Sequence, residues 1–582
     1  MAKVSINRNV AVELMAAFPA LEVYADQLKI ANRIEIDYEA LEPDQLTALA
    51  EIWSKNGEAT GPVALLSALA ETLAFKPEPY GPDDFETLVA DLVEYVSTGP
   101  GRGWLFRLDQ SGVLKPFVAS RVDYTPASGD DSARLVLELR ANSCGKLAHP
   151  HVIFSERDLA GRTFGQIIAA KGYVRETPRL LAGYDDRIET FFEWRNRFGD
   201  QFSGRGRGIY AEDPTASHRN TDHARKSVLS LTTGEQDARL VNDEEILTQR
   251  DLTLEQGGEI LAKMFKRMDR DALLSPTIEK RLLELAEGFG PKQFTEVPVH
   301  AYILMFHLEM HHHLWVHMDN MKPYVYQPEL KDKLILPREH VDLIDILTAE
   351  MDVLMDDIVE GKSGGTTVLC SGPAGVGKTL TAEVYAEIIR RPLYRVHSGQ
   401  LGLNVSEMEK ALKDVLIRAQ RWGAVMLIDE ADVYIKRRDD DLAMNAVVGV
   451  FLRVLEYFNG LLFLTTNRTH DIDEAIVSRC IAMIRYIAPS EHERRQIWDV
   501  MATQFGLELA EGLSLTLAQR FPQATGRDIK GLAKLVAKYC SHRDVQPELD
   551  VFDHCAIFRG MDLTGQAPVE ENPRLDLVRN GL

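Results

Sequence analysis

The spacing of apolar positions changes character along the chain, and each change predicts an element. Over residues 10–75 apolar side chains recur at helical intervals, as in "VAVELMAAF" and "TALAEIWSKNG", until the prolines and glycine of "KPEPYGPDD" (Lys76–Asp84) break the pattern. From Gly103 the period shortens to two. "GWLFRLD", "LKPFVASRVDY" and "ARLVLELRAN", separated by Gly, Asp, Pro and Ser turns, read as strands. Helical spacing returns in "FSERDLAGRTFGQIIAAKG", with Ser155 placed to cap it and Asp158 inside the first turns. The polar, glycine-rich "RNRFGDQFSGRGRGIYAEDPTASHRNTDHARKS" reads as an exposed loop. Residues 253–290 read as helix, and "VPVHAYILMFHLEMHHHLWVHMDNMKPYVYQ" as two strands joined by a short polar turn. After Pro328, "LPREHVDLIDILTAEMDVLMDDIVEGKSGG" reads as an amphipathic helix ending in a glycine-containing turn.

The next stretch combines pattern with chemistry. "TTVLC" (Thr366–Cys370) has the β-branched and apolar character of a buried strand, "SGPAGVGK" is a glycine-rich turn, and "TLTAEVYAEIIR" has helical spacing. Within that strand, loop and helix, Gly372, Gly377, Lys378 and Thr379 fill the pattern G-x-x-x-x-G-K-[ST]. Glycines allow successive backbone N–H groups of Gly372, Ala374, Gly375, Val376, Gly377 and the turn into Leu380 to crowd round phosphate oxygens, while Pro373 in the same loop contributes shape and no donor. Lys378 can neutralise β- and γ-phosphate charge, and Thr379 can ligate Mg²⁺. Further on, the buried-strand run "AVMLIDEAD" ends in two adjacent carboxylates. Neighbouring side chains on a strand face opposite ways. Asp429 is therefore expected at the Mg²⁺ shell and Glu430 at the attacking water, a pairing that favours hydrolysis over phosphoryl transfer. A third apolar run, "GLLFLTTNR", ends at Asn467, whose amide can reach the γ-phosphate and water if the strands are adjacent. Arg479 follows in "DEAIVSRC", able to serve its own site, a salt bridge or the site of a neighbouring subunit. In "ATGRDIKGLAKLVAKYC" Arg527 falls in the first turn of a helix, where the dipole disfavours a cation unless phosphate or a carboxylate compensates.

Length and charge then bound what surrounds this site. A chain of 582 residues exceeds one ordinary hydrophobic core, so two to four domains are expected. A net charge of −22 presents a repulsive field to phosphate backbones and disfavours nucleic acid as a partner. Cys144, Cys370, Cys480, Cys540 and Cys555 form no C-x-x-C pair, which fits a reducing compartment. The N-terminus acquires charges too early for a signal peptide and no run of about 18 apolar residues follows, so a cytoplasmic protein with no membrane contact is expected.

The phosphate loop, "LIDEAD", "TTN", "SRC" and "GRD" resemble, in order and spacing, the AAA+ ATPases over residues 330–545. "GPAGVGKTLTAE", "RPLYRVHSGQLG", "RWGAVMLIDEADVYIKRR" and "VFLRVLEYFNGLLFLTTNR" are similar to a fungal and bacterial group in which a poorly characterised N-terminal region precedes a single AAA module. The resemblance implies a P-loop NTPase AAA+ module of α/β class, a parallel sheet flanked by helices plus a helical lid, preceded by an α+β region. It also implies ATP and Mg²⁺ as ligands and a homo-oligomeric, commonly hexameric, ring with ATP between subunits. Lys378 and Thr379 would then hold phosphates and metal, Asp429 the metal and Glu430 the water. Asn467 would be sensor 1, Arg479 the trans-acting arginine finger and Arg527 sensor 2. Two features depart from many relatives: "VSRCIAM" carries one arginine rather than two, and the stretch matching the first pore loop, "LGLNVSEMEK", holds no aromatic residue. Leu401, Leu403, Asn404 and Val405 are left to grip a threaded chain.

The expected domains are a helical subdomain at 1–85, an α+β substrate or partner domain at 86–328, an ATPase subdomain at 329–487, a lid at 488–545 and a tail at 546–582. The expected function is ATP-driven remodelling or unfolding of a protein chosen by the N-terminal region. The alternative is an ATP-gated assembly or scaffold protein without translocation. His307, His311, His312, His313 and His317 invite a metal site, but on strand, turn, strand they point apart, and H-E-x-x-H is absent. The run Lys436, Arg437, Arg438 followed by Asp439, Asp440 and Asp441 reads as a charge-balanced loop, and the arginines of "GRGRG" (Gly204–Gly208) are weak evidence of phosphate contact.

Overall fold

A computed structural model describes residues 3–56, 60–108, 113–129, 131–212, 228–232, 234, 236–247, 250–254, 274–288, 297–349, 365–402, 404–438, 442–456 and 458–561. The chain divides into two units, one built almost wholly from residues before 323 and one from residues 323 onward.

In the first unit the amphipathic helices Arg8–Ala17, Pro43–Lys55 and Thr60–Leu73 turn their apolar faces inward, as their spacing requires. They do not form a subdomain ending at residue 85. Leu46, Leu49, Leu66 and Leu69 share one core with Trp104, Phe106, Val118, Val174 and Leu180. The same segment holds the antiparallel strands Lys3–Asn7 and Arg33–Asp37, where Val4, Ile6, Ile34 and Ile36 alternate into that core. Period two in "LKPFVASRVDY" and "ARLVLELRAN" produces Pro116–Thr125 and Arg134–Ser143, paired antiparallel within a six-stranded sheet. Ser155 and Asp158 close a capping box, although the helix they start is only Glu156–Leu159, and Phe164–Lys171 begins afresh behind Thr163.

The stretch read as an exposed loop contains two strands, Gln201–Gly204 and Arg207–Ala211, within a seven-stranded sheet. Its glycines serve packing as well as turning: a Cβ on Gly204 would lie 2.5 Å from Leu240 Cδ1. Arg205 pairs with Asp237 at 3.1 Å. Residues 213–227 of that stretch, and residues 255–273 of the expected 253–290 helix, lie outside the described residues; Pro276–Glu287 is helical. The histidine-bearing strands are Tyr302–His307 and His312–His317, paired antiparallel. His307 meets the Leu231 carbonyl at 2.9 Å, His313 meets Asp243 at 2.8 Å, and His317 is buried beside Tyr302. Each thus has its own partner. Among the described residues no cluster of three His, Cys, Asp or Glu side chains is arranged to hold a metal ion, and no helix is long and apolar enough to cross a membrane.

One carboxylate organises a turn of this unit. Glu176, 1% exposed, accepts backbone N–H groups of Gly101, Arg102, Gly103 and Trp104 at 2.9–3.2 Å. Charged acceptors contribute about 1.5–3 kcal/mol per hydrogen bond, and buried donors left unpaired add to the loss. Glu176→Gln is expected to lower the unfolding midpoint of this unit in urea, with a loss of about 2–4 kcal/mol.

In the second unit a five-stranded parallel sheet has the order β2-β3-β4-β1-β5: β1 Thr366–Ser371, β2 Leu393–His397, β3 Val425–Asp429, β4 Leu461–Thr466 and β5 Ala482–Arg485. All neighbouring pairs are parallel, so each of the four connections between successive strands returns through a helix. These helices are α1 Lys378–Ile388, α2 Val405–Arg421, α3 Leu442–Leu455 and α4 Glu474–Arg479. β3 and β4 are buried throughout, which is why they read as unbroken apolar runs. Tyr324 donates to Glu387 at 2.7 Å, anchoring the lead-in segment on α1. The helix expected after Pro328 is Arg338–Ala349; residues 350–364 lie outside the described residues.

The lid comprises α5 Glu491–Phe505, α6 Leu513–Arg520 and α7 Gly526–Arg543. It does not stop at residue 545. Helix α8, Leu549–Ile557, places Phe552, Cys555 and Ala556 in the same core as Trp498, Leu517 and Leu532. Residues 562–582 of the expected tail lie outside the described residues.

Candidate functional site

The phosphate loop leaves β1 and enters α1 through glycines whose conformation and space other residues could not share. Gly372 has φ 149°, and a Cβ there would lie 2.4 Å from the Tyr486 carbonyl oxygen. Gly375 has φ 81°, and a Cβ there would lie 2.7 Å from Thr525 Oγ1 and 2.9 Å from Arg527 Cβ. Gly377, left-handed, precedes α1 with no side-chain cap, so the first-turn N–H groups of that helix point at the loop.

Ala374, Gly375, Val376, Gly377, Lys378, Thr379 and Leu380 line a cavity of about 710 Å³; Gly372 and Pro373 are not among its lining residues. The same cavity is lined by Asp429, Glu430 and Asn467, gathered by the order of the sheet, and by Arg527 from the lid. Lys378 is buried and donates to the carbonyls of Gly372 (2.7 Å) and Pro373 (2.6 Å) and to Asn467 Oδ1 (3.0 Å). Burial lowers its pKa below the ordinary lysine value, against the pull of Asp432 and Asp429. Thr379 Oγ1 donates to Asp429 Oδ1 at 3.0 Å. Burial opposes the charge on Asp429, but the Thr465 hydroxyl, Arg395 and Thr379 outweigh it and hold its pKa below the usual carboxylate value.

Glu430 reaches the cavity by a different route from the one strand alternation predicts. β3 ends at Asp429, and Glu430 is left-handed at φ 55°, ψ 48°, with its N–H donating to Thr465 Oγ1 at 3.0 Å. A non-glycine residue in this region costs of order 1–3 kcal/mol, and such strain gathers at functional positions. Arg527 is held by its backbone: its N–H donates to the Gly375 carbonyl at 3.1 Å, and Thr525 caps α7 in a capping box with Asp528.

Arg479 is the predicted residue that the fold does not bring to this cavity. It sits at the C-terminal end of α4, ion-paired with Glu456 and donating to the Ala475 carbonyl at 3.0 Å. Its helix is fixed by Asp473, which caps Ala475 N at 2.9 Å and receives Arg438 at 2.9 Å. The basic run is thus tied back to its own unit through Arg438; Asp439, Asp440 and Asp441 lie outside the described residues.

The segment expected to grip a chain is arranged otherwise. Leu401 is 2% exposed at the end of a short helix, Ser398–Leu401. Tyr434, stacked on Phe451, donates to the carbonyls of Ser398 (2.7 Å) and Gly402 (2.9 Å). Asn404 caps α2, accepting N–H groups of Ser406 and Glu407, and Val405 is already helical. Leu403 lies outside the described residues. Leu401 therefore packs inward, because an apolar side chain gains more in the interior than in water. Leu401→Ala is expected to destabilise this unit by about 2–5 kcal/mol in thermal or urea unfolding, the range for a buried leucine truncated to alanine.

Several residues of the site carry weaker sequence signals. Thr465 donates to Asp429 at 2.5 Å, and Asp432 accepts from Thr466 Oγ1 (2.6 Å) and Asn467 N (3.1 Å), fixing the end of β4. Arg395 pairs with Asp429 at 2.6 Å; a charge inside the apolar strand "LYRVH" is the signal that could have marked it. Leu334, Leu336 and His340 close the cavity's apolar end, His340 lying 5.7 Å from the Tyr486 ring.

Residues 368–487 match the profile of the ATPase family associated with various cellular activities (AAA). An uncharacterized AAA domain-containing protein of Schizosaccharomyces pombe is 31% identical over 30% of this chain and 24% of its own length. The vesicle-fusing ATPase of Dictyostelium discoideum is 29% identical over 31% of this chain and 27% of its own, and 26S proteasome regulatory subunit 8 of Caenorhabditis elegans 24% identical over 35% and 49%. The matched stretch thus spans a quarter to a half of these relatives. Among solved structures, the FIGL-1 AAA domain is similar at 17% identity and TM-score 0.34, over 44% of this chain and 89% of that one. The module that holds this cavity, residues 368–487, is thus an AAA domain similar to those of AAA+ ATPases.

Proposed function

We propose that the chain hydrolyses ATP to ADP and phosphate in a Mg²⁺-dependent reaction, as a homo-oligomeric ring of six, and spends the energy on remodelling a protein selected by residues 1–328. The observation that carries the hydrolytic part is the convergence of Lys378, Thr379, Asp429, Glu430, Asn467 and Arg527 on one cavity, with Arg479 left on the surface of its own unit. Thr379 Oγ1 and Asp429 Oδ1, hard oxygen donors 3.0 Å apart beside the phosphate loop, fit Mg²⁺. Held there, the ion would neutralise phosphate oxygens.

The chain's own groups supply the rest. Lys378 leaves the loop carbonyls for the phosphates, and the uncapped N–H groups of α1 add fixed positive charge. Glu430 accepts the proton of a water whose oxygen attacks the γ-phosphorus as the bond to ADP breaks. Asn467, already bonded to Lys378, orients that water, and Arg527 faces the phosphates from the lid. Arg479, away from its own cavity, completes the site of the neighbouring copy, which a head-to-tail ring provides. The test is phosphate release by the full chain. Turnover should require Mg²⁺ and vanish in excess chelator and in Lys378→Ala; turnover persisting in either would overturn the assignment.

The burial of Leu401 supports a second reading, ATP-gated assembly without translocation, because it removes one apolar grip from the stretch matched to the pore loop. An ATP-dependent unfolding assay on a folded reporter protein separates the two. Partners trapped by the Glu430→Gln protein with ATP would identify what the first unit selects, in a cytoplasmic setting with neither membrane nor nucleic acid.

A further inference from the structure

Asp429 carries a cation of the protein's own. Its Oδ1 accepts the hydroxyls of Thr379 (3.0 Å) and Thr465 (2.5 Å), and its Oδ2 accepts Arg395 Nη2 at 2.6 Å. Arg395 stands in β2 between buried Tyr394 and Val396, and its guanidinium lies at the wall of the nucleotide cavity. Its Nη1 is 3.6 Å from Glu383 on α1, so one guanidinium is shared by the metal carboxylate and a second carboxylate whose side chain is 42% exposed. Nε is shielded from solvent and makes no hydrogen bond, so the head is held by Nη1 and Nη2 alone and can shift its weight between the two acids.

We propose that Arg395 competes with Mg²⁺ for Asp429 and thereby sets the Mg²⁺ concentration at which the nucleotide site loads, passing to Glu383 as the metal arrives. This rests on the reading of Asp429 as a metal ligand. Two cations on one carboxylate repel, and in a partly buried site that repulsion is poorly screened. Removing the guanidinium favours the metal. Removing the charge of Glu383 leaves Arg395 with Asp429 alone and disfavours it. The two substitutions therefore act with opposite signs, which a purely structural ion pair would not produce.

The experiment titrates Mg²⁺ into full-length protein with fluorescently labelled ATP and reads binding rather than turnover. Arg395→Met is expected to lower the half-saturating Mg²⁺ about tenfold, Arg395→Lys to bring it back towards wild type, and Glu383→Gln to raise it about threefold. Binding in chelator and circular dichroism check that each variant is folded. If Arg395→Met does not fold, the Glu383→Gln shift carries the test. An unchanged or raised midpoint in Arg395→Met, or a lowered one in Glu383→Gln, overturns the proposal. Wild-type binding that ignores Mg²⁺ altogether would instead overturn the metal reading beneath it.

Discussion

Glu430→Gln is expected to bind ATP as the wild type does and to lose turnover by a factor of about 10²–10⁴, the usual contribution of a positioned general base. The expectation follows from three features of the site. Glu430 is exposed to the cavity directly after Asp429, yet its left-handed backbone turns it away from the strand geometry that fixes Asp429. Its N–H is anchored by Thr465, which also bonds Asp429, so Glu430 and Asp429 are held by one hydroxyl. Glutamine keeps the size and the backbone anchor and removes only the capacity to accept a proton. Loss of binding together with turnover would mean that Glu430 acts on the nucleotide rather than the water. Unchanged turnover would remove it from the reaction.

If Arg479 acts on the neighbouring copy as proposed, Arg479→Ala is expected to lose about 10³–10⁵ in turnover, the contribution of a trans-acting arginine, while each copy binds nucleotide with unchanged affinity. Its partner within the unit is Glu456, in an ion pair whose two side chains are 34% and 48% exposed. Exposed pairs of this kind contribute about 0–1 kcal/mol, so the fold survives the substitution. Comparing turnover with binding of labelled ATP checks this. A loss of binding would place Arg479 in its own copy's site, contrary to its position at the end of α4.

Local spacing disclosed the parts of this site that are local. The strand, glycine loop and helix from Thr366 to Ile388 could be read because β1 is buried on both faces and Gly372, Gly377, Lys378 and Thr379 follow at fixed intervals. The same holds for β3 and β4 with Asp429 and Asn467 at their ends. The contacts that tune the site could not be read this way. Thr465 and Arg395 meet Asp429 across 36 and 34 positions because β2, β3 and β4 are neighbours in the sheet, a fact no single stretch contains. Alternation failed at Glu430 because the strand ends one residue earlier. Leu401 looked available because its stretch matches the first pore loop, whereas it is buried in a turn whose backbone is held by Tyr434, more than thirty positions further along the chain. Gly204 and Gly208 read as turn signals, although one fits under Leu240 and the other against Leu231 in a sheet. The helical pattern of residues 10–75 held for Arg8–Ala17, Pro43–Lys55 and Thr60–Leu73, missed the strand Arg33–Asp37, and could not tell that its apolar face joins that of residues 104–184.

The central claim is that one copy supplies Glu430 and its neighbour Arg479, and mixing the two inactive proteins tests it most directly. An intact site needs the Arg479→Ala copy as the source of Glu430 and the Glu430→Gln copy as the source of Arg479. In an equimolar mixture with random exchange about a quarter of the interfaces meet that condition, since a head-to-tail contact is formed from two different faces. Phosphate release from the mixture should therefore rise far above that of either variant alone, towards about a quarter of the wild-type rate per site. A mixture of exchanging subunits that stays as inactive as its components would contradict the shared site.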